Sequence, residues 1–406
     1  MKLRYSTLAF IVMAMFTSTL QSESAPVTDD IVRANNAFAL DLYAQLAKQP
    51  GNLVLSPFSV DTTLAMAYAG ARGRTAQQIA KALYLPGETT NVHAGYAALL
   101  RTLNQGNLPG CQFLAANSLW AQQGYRFLQP FQMCLKDQYG SSLNQVDLTG
   151  WPHAFDPAKA AAAREQINAW VKTKTHDKIN EIVPPNLPGP STRLFLVNAV
   201  WFKGLWAQPF DRSDTENAPF HISLDRSVSV PTMHVTGHCR YGRNEDVEVL
   251  ELPYLSNQVS MVILLPRKSD DLADFEKTFT VSGTRRLPEM TGTEVSVALP
   301  KFKAAAEFDL AEPLLTMGIK DAFSEANADF SGITTVKPFF IEAALHKAYV
   351  DVNEVGTEAA AATGAVWAAA EPYPFNADHP FLFMIRHNPT GAILFLGRVV
   401  NPLEQR

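Results

Sequence analysis

Apolar residues recur at helical spacing near the start of the chain. Phe38, Leu42 and Leu46 are four residues apart, which predicts a helix, and Asp29 or Asp30 could cap its N-terminus. A second helix is predicted at 59–71, just after a proline. A third is predicted around the apolar positions Tyr96, Leu99, Leu100 and Leu103.

Continuous apolar runs later in the chain are typical of strands that are buried on both faces. They occupy residues 193–202, 258–266, 294–299, 380–385 and 392–400. Helices come first and strands later, without regular alternation, which indicates an α+β fold rather than a doubly wound one. No stretch rich in Gly, Ser or Pro divides the chain, so residues 26–406 are expected to form one domain.

The first residues have the pattern of a secretory signal peptide. Lys2 and Arg4 precede a short apolar run at 8–16, and the small residues Ser22, Ser24 and Ala25 follow. The apolar run is too short to cross a bilayer in the ordinary way. A buried N-terminal helix and a membrane anchor are the alternative interpretations. We expect a signal peptide at 1–25 and a protein that is secreted or periplasmic.

Composition and motifs narrow the classes of function. Hydrophobic residues make up 47% of the 406 residues, which is unlike a disordered chain. The formal net charge of −5 and the lack of a Lys/Arg run argue against nucleic-acid binding. Three cysteines, Cys111, Cys134 and Cys239, cannot form a disulfide framework.

The sequence lacks the common motifs of catalysis and metal binding. It contains no GxSxG, HExxH, Walker A or GxGxxG motif, although residue counts alone leave a Ser-His-Asp triad open. The nearest approach to a metal site is His234, His238 and Cys239. Their Val- and Thr-rich surroundings predict a strand, in which positions 234 and 238 are about 13 Å apart. We expect no enzymatic activity, no cofactor and no metal.

The segment 354–370, EVGTEAAAATGAVWAAA, stands out because almost all of its side chains are small. Alanine favours a helix, but Gly356 precedes the alanines and Pro372 and Pro374 follow them. Composition alone favours an Ala-rich surface loop. Small side chains also lose little entropy on burial and could enter a sheet as a new strand. The inserted strand would form backbone hydrogen bonds on both sides. At roughly 1 kcal/mol net per bond, they would stabilise the inserted state by on the order of 10 kcal/mol.

The sequence resembles the serpin family over nearly the whole mature chain. Characteristic motifs are NLVLSPFSV at 52–60, AYAGARGRTAQQI at 67–79, ANSLW at 116–120, LVNAVWFKGLWAQPF at 196–210 and LHKAYVDVNEVGTEA at 345–359. The proximal hinge of inhibitory members is matched by Glu354, Gly356, Thr357, Glu358, Ala359, Ala360, Ala361 and Ala362. The resemblance implies about nine helices around three β-sheets, a large central sheet and an exposed reactive loop at about 354–376.

Family resemblance also implies a suicide-substrate inhibitor of serine proteases. The protease cleaves the reactive loop, is held as an acyl-enzyme and is trapped when the loop inserts into the central sheet. Counting from Gly356 as in the family places the reactive bond between Ala370 and Glu371, with Ala369–Ala370 as the neighbouring possibility. Trp367, Ala368 and Ala369 flank this bond. Alanine fits the small specificity pocket of elastase-like proteases, and subtilisin-like proteases are further candidates.

Internal sites of the family are matched as well. The polar shutter region, which lies beneath the strands that separate, is matched by Asn52, Ser56, Ser59, Asn198 and His346. By itself, His346 would be interpreted as a satisfied core histidine. Lys301 and Glu354 match an ion pair of the breach region, where the loop first enters the sheet, and Trp206 matches a tryptophan there.

The expected partners are therefore serine proteases, and the expected state is a monomer without nucleic-acid or membrane partners. Arg101 is the only Lys or Arg in 88–105, the stretch that resembles helix D, so heparin-type binding is not expected. Gly364 would weaken an inserted strand by roughly 0.5–1 kcal/mol, and Trp367 is bulky. The alternative is a non-inhibitory serpin that acts as a binding or carrier protein.

Overall fold

The computed structural model describes residues 24–87, 89–105, 110–150, 153–355 and 371–404. Within them lie eight α-helices, against about nine expected from the resemblance. The helices are α1 Ser24–Leu46, α2 Pro57–Gly70, α3 Gly73–Ala82, α4 Thr89–Gln105, α5 Gln129–Tyr139, α6 Pro157–Lys174, α7 Leu272–Thr278 and α8 Ala311–Thr316.

Fourteen strands accompany these helices in the described residues, and the α+β class is confirmed. The strands are β1 Leu53–Leu55, β2 Cys111–Gln122, β3 Leu143–Val146, β4 Leu194–Gly204, β5 Glu216–Ser223, β6 Arg226–Arg243, β7 Val247–Pro253, β8 Val259–Pro266, β9 Thr291–Pro300, β10 Phe302–Asp309, β11 Ile341–Val352, β12 Tyr373–Asn376, β13 Phe381–His387 and β14 Ile393–Val399.

The described strands form two hydrogen-bonded sheets where the resemblance predicts three. The central sheet has the order β10-β11-β4-β2-β3. The other has nine strands in the order β1-β14-β13-β8-β7-β6-β9-β12, with β5 attached to β6. Strand β6 is 18 residues long: its first part pairs with β5, and its later part pairs with β7 and β9. This long strand joins what would otherwise be two separate sheets.

Most elements predicted from apolar patterning are confirmed. Phe38, Leu42 and Leu46 are buried on α1, and the five apolar runs correspond to β4, β8, β9, β13 and β14. The predicted cap was wrong: α1 begins at Ser24, so Asp29 and Asp30 lie inside the helix. Asp30 instead pairs with Arg33, one helical turn later.

The stretch that contains His234, His238 and Cys239 is part of β6, as its β-branched composition predicted. Because side chains alternate along a strand, the two histidines share one face and Cys239 points to the other. Cys239 is buried, and Cys111 and Cys134 are partly buried free thiols. In the described part of the chain, no three His, Cys, Asp or Glu side chains are grouped closely enough to hold a metal ion.

Helices cover both faces of the central sheet. Helix α2 passes beneath it through the core, where every residue of the helix is buried except Tyr68 and Ala69. On the other face, Ile167 and Val171 of α6 belong to one buried apolar cluster with residues of β2, β4 and β11. Polar side chains on α2 must therefore find their hydrogen-bond partners inside the protein.

The predicted signal peptide lies almost entirely outside the described residues, which begin at Ser24. Export from the cytoplasm therefore stays a prediction. None of the described helices has the length and apolar character that a membrane span requires.

Candidate functional site

The candidate site is the seam between β4 and β11, the parallel pair in the middle of the central sheet. The two strands are in register from Ala343 opposite Phe195 to Val350 opposite Phe202. On either side of the seam, β11 pairs with β10 and β4 pairs with β2, and both of these pairs are antiparallel. A segment that turned back after β11 would run antiparallel to both strands of the seam.

A row of polar side chains crosses the middle of the seam. His346 on β11 lies opposite Asn198 on β4, and Asn198 lies opposite Asn117 on β2. Helix α2 contributes Ser56, at its N-terminal boundary, and Ser59 from below. With Thr63, one turn further along α2, these residues form what we call the polar cluster.

Hydrogen bonds in the polar cluster determine which ring nitrogen of His346 carries the proton. The backbone N–H of Ser56 donates to His346 Nε2 at 3.1 Å, so Nδ1 carries the ring proton and donates to Asn198 Oδ1. The Asn198 amide in turn donates to Ser59 Oγ and to Asn117 Oδ1, both at 2.7 Å. Burial lowers the pKa of His346 to about 3. The ring is therefore neutral at ordinary pH.

Two members of the polar cluster were missed by sequence reasoning, and one predicted member lies elsewhere. Asn117 falls within the quoted motif ANSLW, and Thr63 lies four residues after Ser59, so helical spacing could have identified it. In the part of the chain that the structure describes, Asn52 forms no hydrogen bond with the polar cluster. Its amide donates to the carbonyl oxygens of Asn401 and Glu404, and it thereby holds the C-terminal segment.

A second group of residues, which we call the breach cluster, closes the end of the seam where β11 stops. Lys301 Nζ donates to Glu354 Oε1 at 2.8 Å, and the Thr215 hydroxyl donates to the same oxygen at 3.0 Å. The Glu354 side chain is buried, and burial alone would raise its pKa. The hydrogen bonds from Lys301, from the backbone at Glu354 itself and from Thr215 outweigh that effect and hold the pKa of Glu354 below its ordinary value.

Trp206 completes the breach cluster. Its indole stacks on Tyr254 with ring centroids 4.5 Å apart, and its Nε1 donates to the carbonyl oxygen of Asn353 at 2.9 Å. The backbone N–H of Phe210 donates to the carbonyl oxygen of Glu354 at 2.9 Å. Residues 353–355 are thus held by backbone and side-chain contacts at the start of the predicted hinge.

The rest of the predicted reactive segment lies outside the described residues. This applies to the hinge positions from Gly356 to Ala362 and to Trp367, Ala368, Ala369 and Ala370. Glu371 is described and is exposed.

The predicted extent of the reactive loop, about 354–376, is too long at its distal end. Residues 373–376 form β12, which pairs with β9 at the edge of the nine-stranded sheet. Buried Phe375 anchors this strand. Pro374 is tolerated because an edge strand has one side without hydrogen-bonding partners.

Comparisons with known proteins agree with this architecture. A family model described as Serpin (serine protease inhibitor) matches residues 33–402. Leukocyte elastase inhibitor of Bos taurus is 40% identical over 388 residues, which cover 92% of this chain and 100% of the relative. An uncharacterized serpin-like protein of Methanosarcina acetivorans is 37% identical over 378 residues, which cover 92% of this chain and 86% of that protein.

Solved structures give the same result. Uncleaved ovalbumin superposes with a TM-score of 0.82 at 32% identity, covering 92% of this chain and 100% of the ovalbumin chain. A serpin of the insect Tenebrio molitor gives a TM-score of 0.81 at 32% identity, covering 92% of this chain and 98% of that one. The chain therefore belongs to the serpin family.

Proposed function

We propose that this protein inhibits serine proteases by loop cleavage, acyl-enzyme trapping and insertion of the cleaved segment between β4 and β11. The observation that carries the proposal is the five-stranded central sheet, in which these two strands pair directly and in parallel. The segment that begins at Gly356 follows β11 and consists mostly of small side chains, with Glu358 and Trp367 as the exceptions. It has the position, the length and the composition of a sixth strand.

The energetics favour such an insertion. One parallel pair would be replaced by two antiparallel pairs, which are slightly more stable per residue. Strands β4 and β11 are 11 and 12 residues long, so a segment of similar length could pair on both sides. At roughly 1 kcal/mol per net backbone hydrogen bond, the gain is on the order of 10 kcal/mol. The uninserted protein would then be a kinetically trapped state.

The proposed targets are proteases that cleave after small apolar residues. Whichever of the two candidate bonds is cleaved, the residue before it is alanine, and relatives named leukocyte elastase inhibitor are up to 40% identical to this chain. Elastase-like and subtilisin-like proteases are therefore the proposed partners. The protein itself would supply no catalytic group. The N-terminal sequence pattern supports export to the periplasm or beyond the cell.

The experiment is to mix the purified protein with pancreatic elastase or subtilisin and to boil the mixture in detergent. We expect a covalent complex, together with a released C-terminal peptide whose mass identifies the bond as Ala370–Glu371 or Ala369–Ala370. Cleaved product without complex would favour a non-inhibitory binding or carrier protein.

Thr357→Arg supplies the first control. It should convert inhibition into simple cleavage, because insertion would bury an arginine without a partner. Glu358→Arg is the matched variant: this position already carries a charge, and strand alternation places it on the opposite face. It should still inhibit. If Thr357→Arg traps the protease as well as the unchanged protein does, the insertion step is wrong.

A further inference from the structure

An exposed aromatic side chain lies shortly after the proposed reactive bond. Tyr373 is the first residue of β12 and follows Glu371 and Pro372. It exposes 46% of its surface, whereas Phe375, on the same face of the strand, is fully buried. Phe375 is therefore sufficient to anchor β12, and the exposed part of Tyr373 is not needed for the core.

The Tyr373 ring is held in place from below. It stacks on buried Tyr241 with ring centroids 5.7 Å apart and an interplanar angle of 28°. The Tyr241 hydroxyl donates to the Glu248 carboxylate at 3.0 Å, and the backbone of Tyr373 pairs with Val295 on β9. A ring that is already ordered loses little further entropy when a partner covers it.

A cation lies beside this ring, opposite Glu248 in the pairing of β6 with β7. The Arg243 guanidinium lies 5.9 Å from the centre of the Tyr373 ring. Within the described ranges, Arg243 forms no ion pair, whereas Arg240 on the same strand and Arg386 on β13 both pair with Glu251. We call Tyr373, Tyr241 and Arg243 the distal platform.

We propose that the distal platform selects the protease. A protease positioned to cleave at 369–371 must cover the residues that follow the bond, so it must also approach Tyr373. The favoured partner is a serine protease whose surface on that side of its active site carries an apolar depression next to a carboxylate. Tyr373 fills the depression and Arg243 pairs with the carboxylate. This inference rests on the proposed function, because it assumes that the bond near residue 370 is the one attacked.

The test compares how fast variants are attacked by elastase and subtilisin. Tyr373→Ala should lower the second-order rate constant about tenfold with the preferred protease, as expected for loss of an aromatic anchor. Tyr373→Phe should keep the rate. Arg243→Gln should lower the rate about threefold at low ionic strength and hardly at all at about 1 M salt, since a charge at an interface rim mainly affects association.

Tyr84 offers a matched control. It is exposed to a similar degree, 48%, and contacts Asp41 instead of the platform. Tyr84→Ala should leave the rate unchanged. Melting temperatures of all variants establish whether they are folded. If Tyr373→Ala does not fold, Arg243→Gln decides: a lower rate at low ionic strength supports the platform, and an unchanged rate overturns it.

Attack is counted by mass spectrometry as total cleavage near residue 370, whether the protease is trapped or released. Cleavage without trapping would contradict the proposed inhibition. Even then, slower cleavage of Tyr373→Ala than of the unchanged protein would support the distal platform. Equal rates for the unchanged protein, Tyr373→Ala and Arg243→Gln would overturn the platform alone. A bond that neither protease attacks would count against both proposals.

Discussion

Asp61 places a carboxyl group in the buried helix α2, beneath the central sheet. Its Oδ2 accepts a hydrogen bond from the Tyr96 hydroxyl at 2.8 Å, and within the described chain its Oδ1 has no hydrogen-bond partner. Burial raises the pKa of Asp61 to about 8, although the Tyr96 hydrogen bond opposes this change. In sequence, Asp61 lies between Ser59 and Thr63 on the same helix, and its side chain points away from theirs. Its charge state therefore affects the helix that supports the polar cluster.

Asp61→Asn should make thermal stability less dependent on pH. The ordinary pKa of Asp61 is 3.8 and the folded value is about 8, so the native state favours the neutral acid. Its stabilising contribution is complete below about pH 4 and is lost as the pH rises through 8. Asparagine has the same shape and stays neutral. Between pH 5 and 8 the melting temperature of the unchanged protein should fall by roughly 5 °C more than that of the variant.

The matched control for this measurement is Asp137→Asn, at an exposed position on α5. Melting temperatures are measured at pH 5, 6.5, 8 and 9. Their dependence on pH should be the same for this control as for the unchanged protein. If the melting temperatures of Asp61→Asn and the unchanged protein depend on pH in the same way, the raised pKa of Asp61 in the folded state is wrong.

Glu354 connects three elements at the end of the seam. It follows β11, its partner Lys301 lies between β9 and β10, and its second partner Thr215 lies just before β5. The Glu354 side chain is 7% exposed and that of Lys301 is 37% exposed. The ion pair is thus partly screened by water, but the buried carboxylate itself depends on its hydrogen-bond donors.

Lys301→Met should cost about 1–2 kcal/mol of stability at pH 7, because it leaves a buried carboxylate with only neutral donors. Glu354→Gln should cost less, and the double variant should recover part of the loss. The pKa of Glu354 is below its ordinary value of 4.5, so the contribution of the pair is present above that pH and is lost as the pH falls further. Denaturant unfolding at pH 7 and pH 4 measures this, and equal stability of Lys301→Met at pH 7 would refute it.

Strands that are buried on both faces of a sheet could be predicted from the sequence, because most of their side chains are apolar. Strand β4 is buried at nearly every position, so its apolar run is continuous in the sequence. Strand β12 was missed, because Pro374 interrupts the strand pattern and only the free edge of the sheet tolerates it. The meeting of His346, Asn198 and Asn117 depends on strand order and register. Local patterns do not contain that information, and only the resemblance indicated two of the three residues.

Three layers of contacts oppose separation of β4 and β11. The breach cluster closes one end, the polar cluster joins the strands in the middle, and α6 covers the other face. There, Leu345 and Val197 lie opposite each other and pack in the cluster that includes Ile167 and Val171. All three sets of contacts must rearrange before a strand can insert. Under the proposed mechanism, these contacts would keep the molecule in the five-stranded state although the inserted state would be more stable.

Cleavage near residue 370 should therefore make the whole molecule more resistant to heat. A gain on the order of 10 kcal/mol, divided by an unfolding entropy of about 0.8 kcal/mol/K for a chain of this size, corresponds to a rise of roughly 10 °C or more. The measurement is calorimetry of the intact protein and of the protein cleaved near residue 370 by a protease that it does not trap. Cleaved Thr357→Arg is the control and should gain much less, because its segment cannot enter the sheet without burying a charge. If the cleaved and intact proteins melt at the same temperature, the cut segment has not entered the seam, and the five-stranded sheet is the end state of the molecule.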